Sequence, residues 1–315
     1  MALAGRRLWG SRSVSARDGF RTFTTLVALA TPIVVLLIVL ILAVDAAPAI
    51  RQFGLGFLAE RAWNPVKQQF GALPFVYGTV VSSFLALALA LPVGVGTAIF
   101  LAEPRLARVR GIIGIGVELL AAIPSVVYGL WGLYVLAPWL LLHVSRPLTE
   151  TFGSVPIFAG PARQTSLLAA SVVLAVMVLP TLAAVSRDVV RAVPSGQREA
   201  SVALGATWWE TTWKVILPAA RPGILGATVL SLGRALGETI AVTMIIGNRP
   251  ELQTSLLGPA YTLASVIANE FTEATGSLYP AALIELGLIL MLVTLAVNAG
   301  GLLLVHSVAG QARAP

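Results

Sequence analysis

Arg234 and Glu238 stand four residues apart inside an apolar stretch, residues 224–246, that is long enough to cross a bilayer. Placing either charge at mid-membrane costs roughly 2.5 to 3.5 kcal/mol even on lenient insertion scales, so ionisable residues at that depth mark functional sites. A guanidinium offers a planar fork of donors that suits a tetrahedral oxyanion. A carboxylate one turn away can hold that fork and then compete for it, so the pair reads as machinery for handling an anion. With a helix starting near Ile224, a rise of 1.5 Å per residue puts Arg234 about 15 Å in, close to the middle of a hydrocarbon core about 30 Å thick. Gly226, Gly233 and Gly237 strip side chains from its surroundings and permit close approach. The competing reading is mutual neutralisation on a packed face. Arg preceding an acid at i, i+4 is the poorer orientation for a helix, so local stability is a weak reason for the pair.

The elements that must position this pair are helices. Of the 315 residues, 57% are hydrophobic and 11% charged, against roughly 25% charged in an ordinary soluble domain. The chain reads as an all-α polytopic membrane protein with six spans, over residues 24–44, 75–101, 112–142, 166–185, 224–246 and 281–305. The first follows a basic head of Arg6, Arg7, Arg12, Arg17 and Arg21. Its apolar run exceeds a signal-peptide core of roughly 7 to 15 residues, so it reads as a retained helix. Residues 1–22 are then a basic tail and 23–310 one transmembrane domain.

Basic residues set the orientation. The N-terminal tail, the 102–111 loop, the 186–222 loop and the C-terminal tail hold 14 of the 21 Lys and Arg residues. Those segments are cytoplasmic by the positive-inside rule, and so are both termini. The net charge of +7 follows from that asymmetry and is no nucleic-acid footprint. Cysteine is absent, and His143 and His306 have no second ligand at metal spacing, so no metal site is expected. Glu118 falls near the cytoplasmic boundary of its span, and Glu285 near the outer end of the last, where it is expected to reach the interface.

Two segments depart from simple spanning helices. Pro124, in Ala122-Ile123-Pro124-Ser125, removes a backbone donor and is expected to kink or break the third span. It serves either as a packing kink or as a bend lining a pathway. The 186–222 loop is too polar to insert and reads as two short helices. Pro194-Ser195 starts the first, Gly205 stops it, and Thr207-Trp208-Trp209-Glu210 opens the second with a capping-box pattern. Trp209, Trp213 and Ile216 give that second helix an apolar face before Pro218 stops it. The outer segments 46–73 and 247–280 are expected to hold short helices across the mouth of a pathway.

Glu199-Ala200-Ser201, three residues, Gly205, nine residues and Val215-Ile216-Leu217-Pro218 together resemble the EAA loop of ABC importer permeases. Ser201 and Val215 are mild departures from the pattern. The resemblance implies a type I importer permease fold, with Glu199, Ala200, Gly205, Leu217 and Pro218 docking a cytoplasmic ATPase. No Walker-type phosphate loop is present, so ATP and Mg would be used by a separate subunit and no cofactor by this chain. Residues 233–248, with Glu118 to Trp131, resemble the PstC-type subunit of the bacterial phosphate-specific importer. That resemblance implies an inner-membrane complex of this chain, a sister permease, two copies of the ATPase and an external phosphate-binding protein. Phosphate would be moved past Arg234 and Glu238 by alternating access. A permease for sulfate, molybdate or another oxyanion is the alternative. An anion transporter without an ATPase is less well supported, because the EAA spacing has no role there.

Overall fold

The computed structural model describes residues 10–103 and 107–311, with side chains over 19–103 and 109–308. Arg6, Arg7, Arg105 and Arg313, used above to set orientation, lie outside the described residues. In chain order the helices are α1 (Gly10–Asp45), α2 (Ala47–Phe53), α3 (Gly56–Ala59), α4 (Leu73–Ala102) and α5 (Ala107–Ala122). There follow α6 (Ser125–Phe152), α7 (Leu167–Ala192), α8 (Ser195–Ala203), α9 (Trp208–Leu236), α10 (Ile240–Ile245), α11 (Leu263–Glu270) and α12 (Leu278–Gln311). Six of these, α1, α4, α6, α7, α9 and α12, are long and apolar enough to cross a membrane, the number expected. The helix containing the first span begins at Gly10, inside the basic segment.

Two helices, α6 and α9, continue past prolines at three positions, including Pro218, which the sequence suggests as a stop. Proline cannot donate to the carbonyl four residues back, and its ring collides with it. A π turn, with its wider ring of backbone atoms, moves that carbonyl away. Such turns occur at Gly132–Leu136, Leu141–Ser145 and Thr212–Ile216, each two residues before a proline: Pro138, Pro147 and Pro218. Pro218 therefore does not stop the second helix of the 186–222 loop. That helix runs unbroken into the fifth span as α9.

The core lies where α4, α7 and α9 meet. Ala86, Ala90, Leu174, Val178, Leu182, Ala227 and Ala235 are buried together there. Small residues bring the backbones close, the usual basis of helix packing in lipid. A side chain on Gly94 would reach within 2.8 Å of Leu182, and one on Gly301 of α12 within 2.5 Å of Val229 of α9. By contrast α1 has no buried residue in its most apolar window and packs on the outside of the bundle.

On the outer side, α2, α3 and α11 form the expected short helices. They are held by the rings of Phe57, Trp63, Phe70 and Phe75. Trp63 meets Phe70 and Phe75 edge to face with centroids 4.9 Å apart. Glu270 accepts the Trp63 indole N–H at 2.8 Å and the Tyr279 hydroxyl at 2.6 Å, which ties the cap to α12. The cap bears on α4 through Gly78. An added Cβ there would lie 2.2 Å from the Tyr261 carbonyl oxygen and 3.0 Å from its carbon, atoms of the main chain that cannot rotate away.

Gly78→Ala is accordingly expected to destabilise the protein by about 1 to 3 kcal/mol through overpacking. Gly96→Ala in the same helix meets nothing within 4 Å and should be neutral or slightly stabilising. Thermal melts of the two variants in detergent check the contrast.

Candidate functional site

Arg234 is in the last turn of α9, and the fifth span is broken directly after it. The helix ends at Leu236, Gly237 adopts φ −93° and ψ 0°, and Thr239 precedes a new short helix, α10. This corrects the sequence expectation of one continuous helix carrying Arg234 and Glu238 on one face. No ion pair within 4.0 Å joins the two among the described residues. Instead the Arg234 Nη1 donates to Thr181 Oγ1 of α7 at 3.0 Å. Glu238 sits in the break, where its Oε1 accepts the Ala241 N–H at 3.3 Å, at the end of α10 where free N–H groups favour an anion. The guanidinium is exposed in this chain, so most of its donor fork is uncommitted.

A second break faces the first. Ile123 and Pro124 separate α5 from α6, and Pro124 holds φ −61° and ψ 144° as the residue before the new helix. Residue 124 would have supplied the N–H for the Leu120 carbonyl, and proline has none. The Ile123 N–H reaches that carbonyl at only 3.4 Å, and the Tyr128 hydroxyl donates to it at 2.7 Å. The freed carbonyl is thus satisfied within the protein, as a membrane interior requires. Pro124 is a break rather than a kink. Tyr128 also lies within electrostatic range of Arg234. One residue on, Gly129 allows α6 to meet α10: a Cβ there would approach Met244 Sδ to 2.5 Å and Ala241 Cα to 3.2 Å. Two interrupted helices therefore touch beside an arginine, the arrangement in which membrane proteins expose backbone to a pathway.

The other acids separate by environment. Glu118 is largely exposed and 4.0 Å from Arg187 of α7; it lies in α5, outside the spanning helix that begins at Ser125 rather than at residue 112 as expected. Glu285 does not reach the interface as expected. It is 8% exposed, and its Oε2 has no hydrogen-bond partner. Its helix neighbours Leu283 and Leu286 are buried with Leu263 and Val266 beneath the cap.

The 186–222 loop is a helix-glycine-helix knob. Gly205 adopts φ +84°, the left-handed stop expected of it. Both arms of the capping box form, with Thr207 Oγ1 accepting the Glu210 N–H and the Glu210 carboxylate accepting the Thr207 N–H. Ser201 and Thr211 share a hydrogen bond of 2.9 Å across the two limbs. Glu199, Ala200, Gly205 and Pro218 are exposed, with Leu217 partly so. Leu204 projects from the tip, 89% exposed. Of the apolar face read on the second helix, Ile216 is buried while Trp209 and Trp213 are 57% and 54% exposed, and Thr211 and Thr212 are buried beside Ile216. Thr181 and Tyr128 were absent from the sequence candidates. The proline preceding Thr181 and the Tyr128 position one turn after Pro124 were the available signals.

The family of binding-protein-dependent transport system inner membrane components matches residues 90–309. The phosphate transport system permease protein PstC of Mesorhizobium japonicum is 48% identical over 78% of this chain and 76% of its own length. The corresponding protein of Haemophilus influenzae is 43% identical over 87% and 88%. This chain belongs to that family, in its PstC-type branch. The permease shares its fold with solved type I importers. The MetNI methionine transporter aligns at a TM-score of 0.56 and 20% identity, over 78% of this chain and 99% of that one. A bacterial alginate transporter aligns at 0.57 and 18%, over 90% and 94%.

Tyr128→Phe leaves the Leu120 carbonyl under-satisfied, and a loss of about 1 to 2 kcal/mol is expected. Pro124→Ala restores the missing N–H, so the Tyr128 effect should shrink in that background. A double-mutant cycle of detergent melts measures the coupling.

Proposed function

We propose that this permease is the PstC-type subunit of an ATP-driven importer that carries inorganic phosphate across the bacterial inner membrane into the cytoplasm. The observation that carries the reading is the 48% identity to a phosphate transport permease over most of both chains. The site is consistent with it in chemistry. Arg234 offers charged donors that suit a tetrahedral oxyanion, and the partner Thr181 fixes one edge of the fork while leaving the other. Glu238, held on α10, is near enough in sequence to compete for the guanidinium when the break between α9 and α10 rearranges, and so to promote release.

The complex would contain a sister permease, two cytoplasmic ATPase subunits that use ATP and Mg, and an external phosphate-binding protein. An exposed arginine in a spanning helix is costly against hydrocarbon. A sister subunit closing a hydrated cavity over Arg234 removes that cost. The exposed Glu199, Ala200, Gly205, Leu204 and Pro218 suit a cleft on the ATPase, which would pull the knob and rock the attached α7 and α9 around the site.

Uptake of radiolabelled phosphate into proteoliposomes of the whole complex is expected to need internal ATP and to resist competition by sulfate and molybdate. Arg234→Ala should abolish uptake without loss of assembly. Arg234→Lys should lose about tenfold or more, since a charged hydrogen bond is worth about 1.5 to 3 kcal/mol. Glu199 and Gly205 substitutions should reduce both transport and stimulated ATP hydrolysis. Uptake without ATP, or unaffected by Arg234→Ala, rejects the assignment.

A further inference from the structure

Glu103 closes α4 on the cytoplasmic side, where the chain turns extended at φ −74° and ψ 122°. It is a carboxylate only 9% exposed. Its Oε2 accepts the indole Nε1–H of Trp208, and the same oxygen lies 3.8 Å from Arg198 Nη1. Its carbonyl accepts from Arg110 Nη1 at 3.4 Å, and the neighbouring Leu101 carbonyl accepts from Arg191 Nη2 at 2.7 Å. Arg198 belongs to α8 and stands beside Glu199, while Trp208 opens α9. One buried carboxylate therefore grips both limbs of the knob, on either side of the Gly205 turn. The chain itself connects the knob to α7 and α9 but not to α4. Glu103 supplies that third connection.

The connection leads toward the pathway. Further along α4, Gly94 seats Leu182 of α7, the residue after the Thr181 that holds Arg234. Ala102, Val190, Ile216 and Ala220 pack as an apolar cluster around the cytoplasmic end, so the joint is stiff as well as polar. A charge-assisted hydrogen bond in such a setting has a narrow geometry and transmits displacement rather than absorbing it.

We propose that Glu103 is a positioning residue for transport: through Trp208 and Arg198 it carries the nucleotide-driven displacement of the knob to α4, and through Leu182 to the wall of the site. The proposal rests on the importer reading above and adds a route to it. Three variants separate its parts. Glu103→Leu removes both ties, Trp208→Phe removes only the indole donor, and Glu103→Gln keeps an acceptor for the indole while losing the charge facing Arg198.

The experiment uses the assembled complex in proteoliposomes and reads phosphate moved per ATP hydrolysed, with spin labels at residues 99 and 197 reporting the distance between α4 and the knob. In the otherwise unmodified complex the label distance should hold across nucleotide-free and ATP-bound states. With Glu103→Leu and Trp208→Phe it should change between states, and the transport-to-hydrolysis ratio should fall about fivefold or more, the scale of a typical coupling free energy. Glu103→Gln should retain part of the ratio. A ratio and a label distance that match the unmodified complex in all three variants overturn the proposal. So does a parallel fall of transport and hydrolysis, at constant ratio, that tracks lost assembly. An unmodified complex whose hydrolysis does not drive uptake removes the importer reading and this route with it, and the control without substitutions tells that failure apart.

Discussion

In a hydrocarbon interior every backbone N–H and C=O must find its partner within the protein. That requirement explains where this chain stays helical and where it departs. The π turns before Pro138, Pro147 and Pro218 keep a ladder running past residues that would otherwise end it. At Pro124 the ladder does end, and the Tyr128 hydroxyl replaces the donor that proline lacks. At Gly237 to Thr239 it ends again, and the Glu238 carboxylate accepts from the start of the next helix. Breaks are tolerated only where a nearby side chain completes the backbone, and both completed breaks lie beside Arg234.

Close packing places those breaks against each other. Gly129 lets α6 approach the backbone of α10, and Gly94 lets α4 approach α7. The same surfaces position Thr181 to receive a hydrogen bond from Arg234. Small residues thus serve two ends here: they supply helix contacts that lipid does not drive, and they bring discontinuous backbone to the same level as a charge. The outer aromatic cap, anchored through Glu270, closes the far side of the same bundle.

Much of this was legible in the sequence. The number of spans, the two-limbed 186–222 loop, its left-handed Gly205 and its capping box depend on local composition and spacing, and these are what a linear reading captures. The break after Arg234 was not, because residues 237–246 are as apolar as any helix and Gly237 alone is a common packing residue. Trp209 and Trp213 were grouped with Ile216 on one apolar face, but aromatic periodicity cannot say which side of a helix is covered, and only Ile216 is buried. Burial of Thr211 and Thr212 depends on α8 folding back, a tertiary fact. Glu285 was placed at the interface from its depth along the helix, but the cap formed by distant residues 46–72 and 263–270 encloses that end. Pro218 was read as a stop because the π turn that relieves it leaves no local signature beyond the proline itself.

The uncovered guanidinium also bears on the life of the chain before it functions. A copy inserted alone carries an exposed arginine in a spanning helix, received among the described residues by Thr181, and against hydrocarbon it must snorkel, tilt or draw in water at a cost of about 2.5 to 3.5 kcal/mol. In the proposed complex, a copy that has met a sister permease is spared this. On the proposed assembly, the same arginine would distinguish paired from solitary subunits, giving membrane quality control a physical handle on stoichiometry and biasing the cell toward matched production of the two chains.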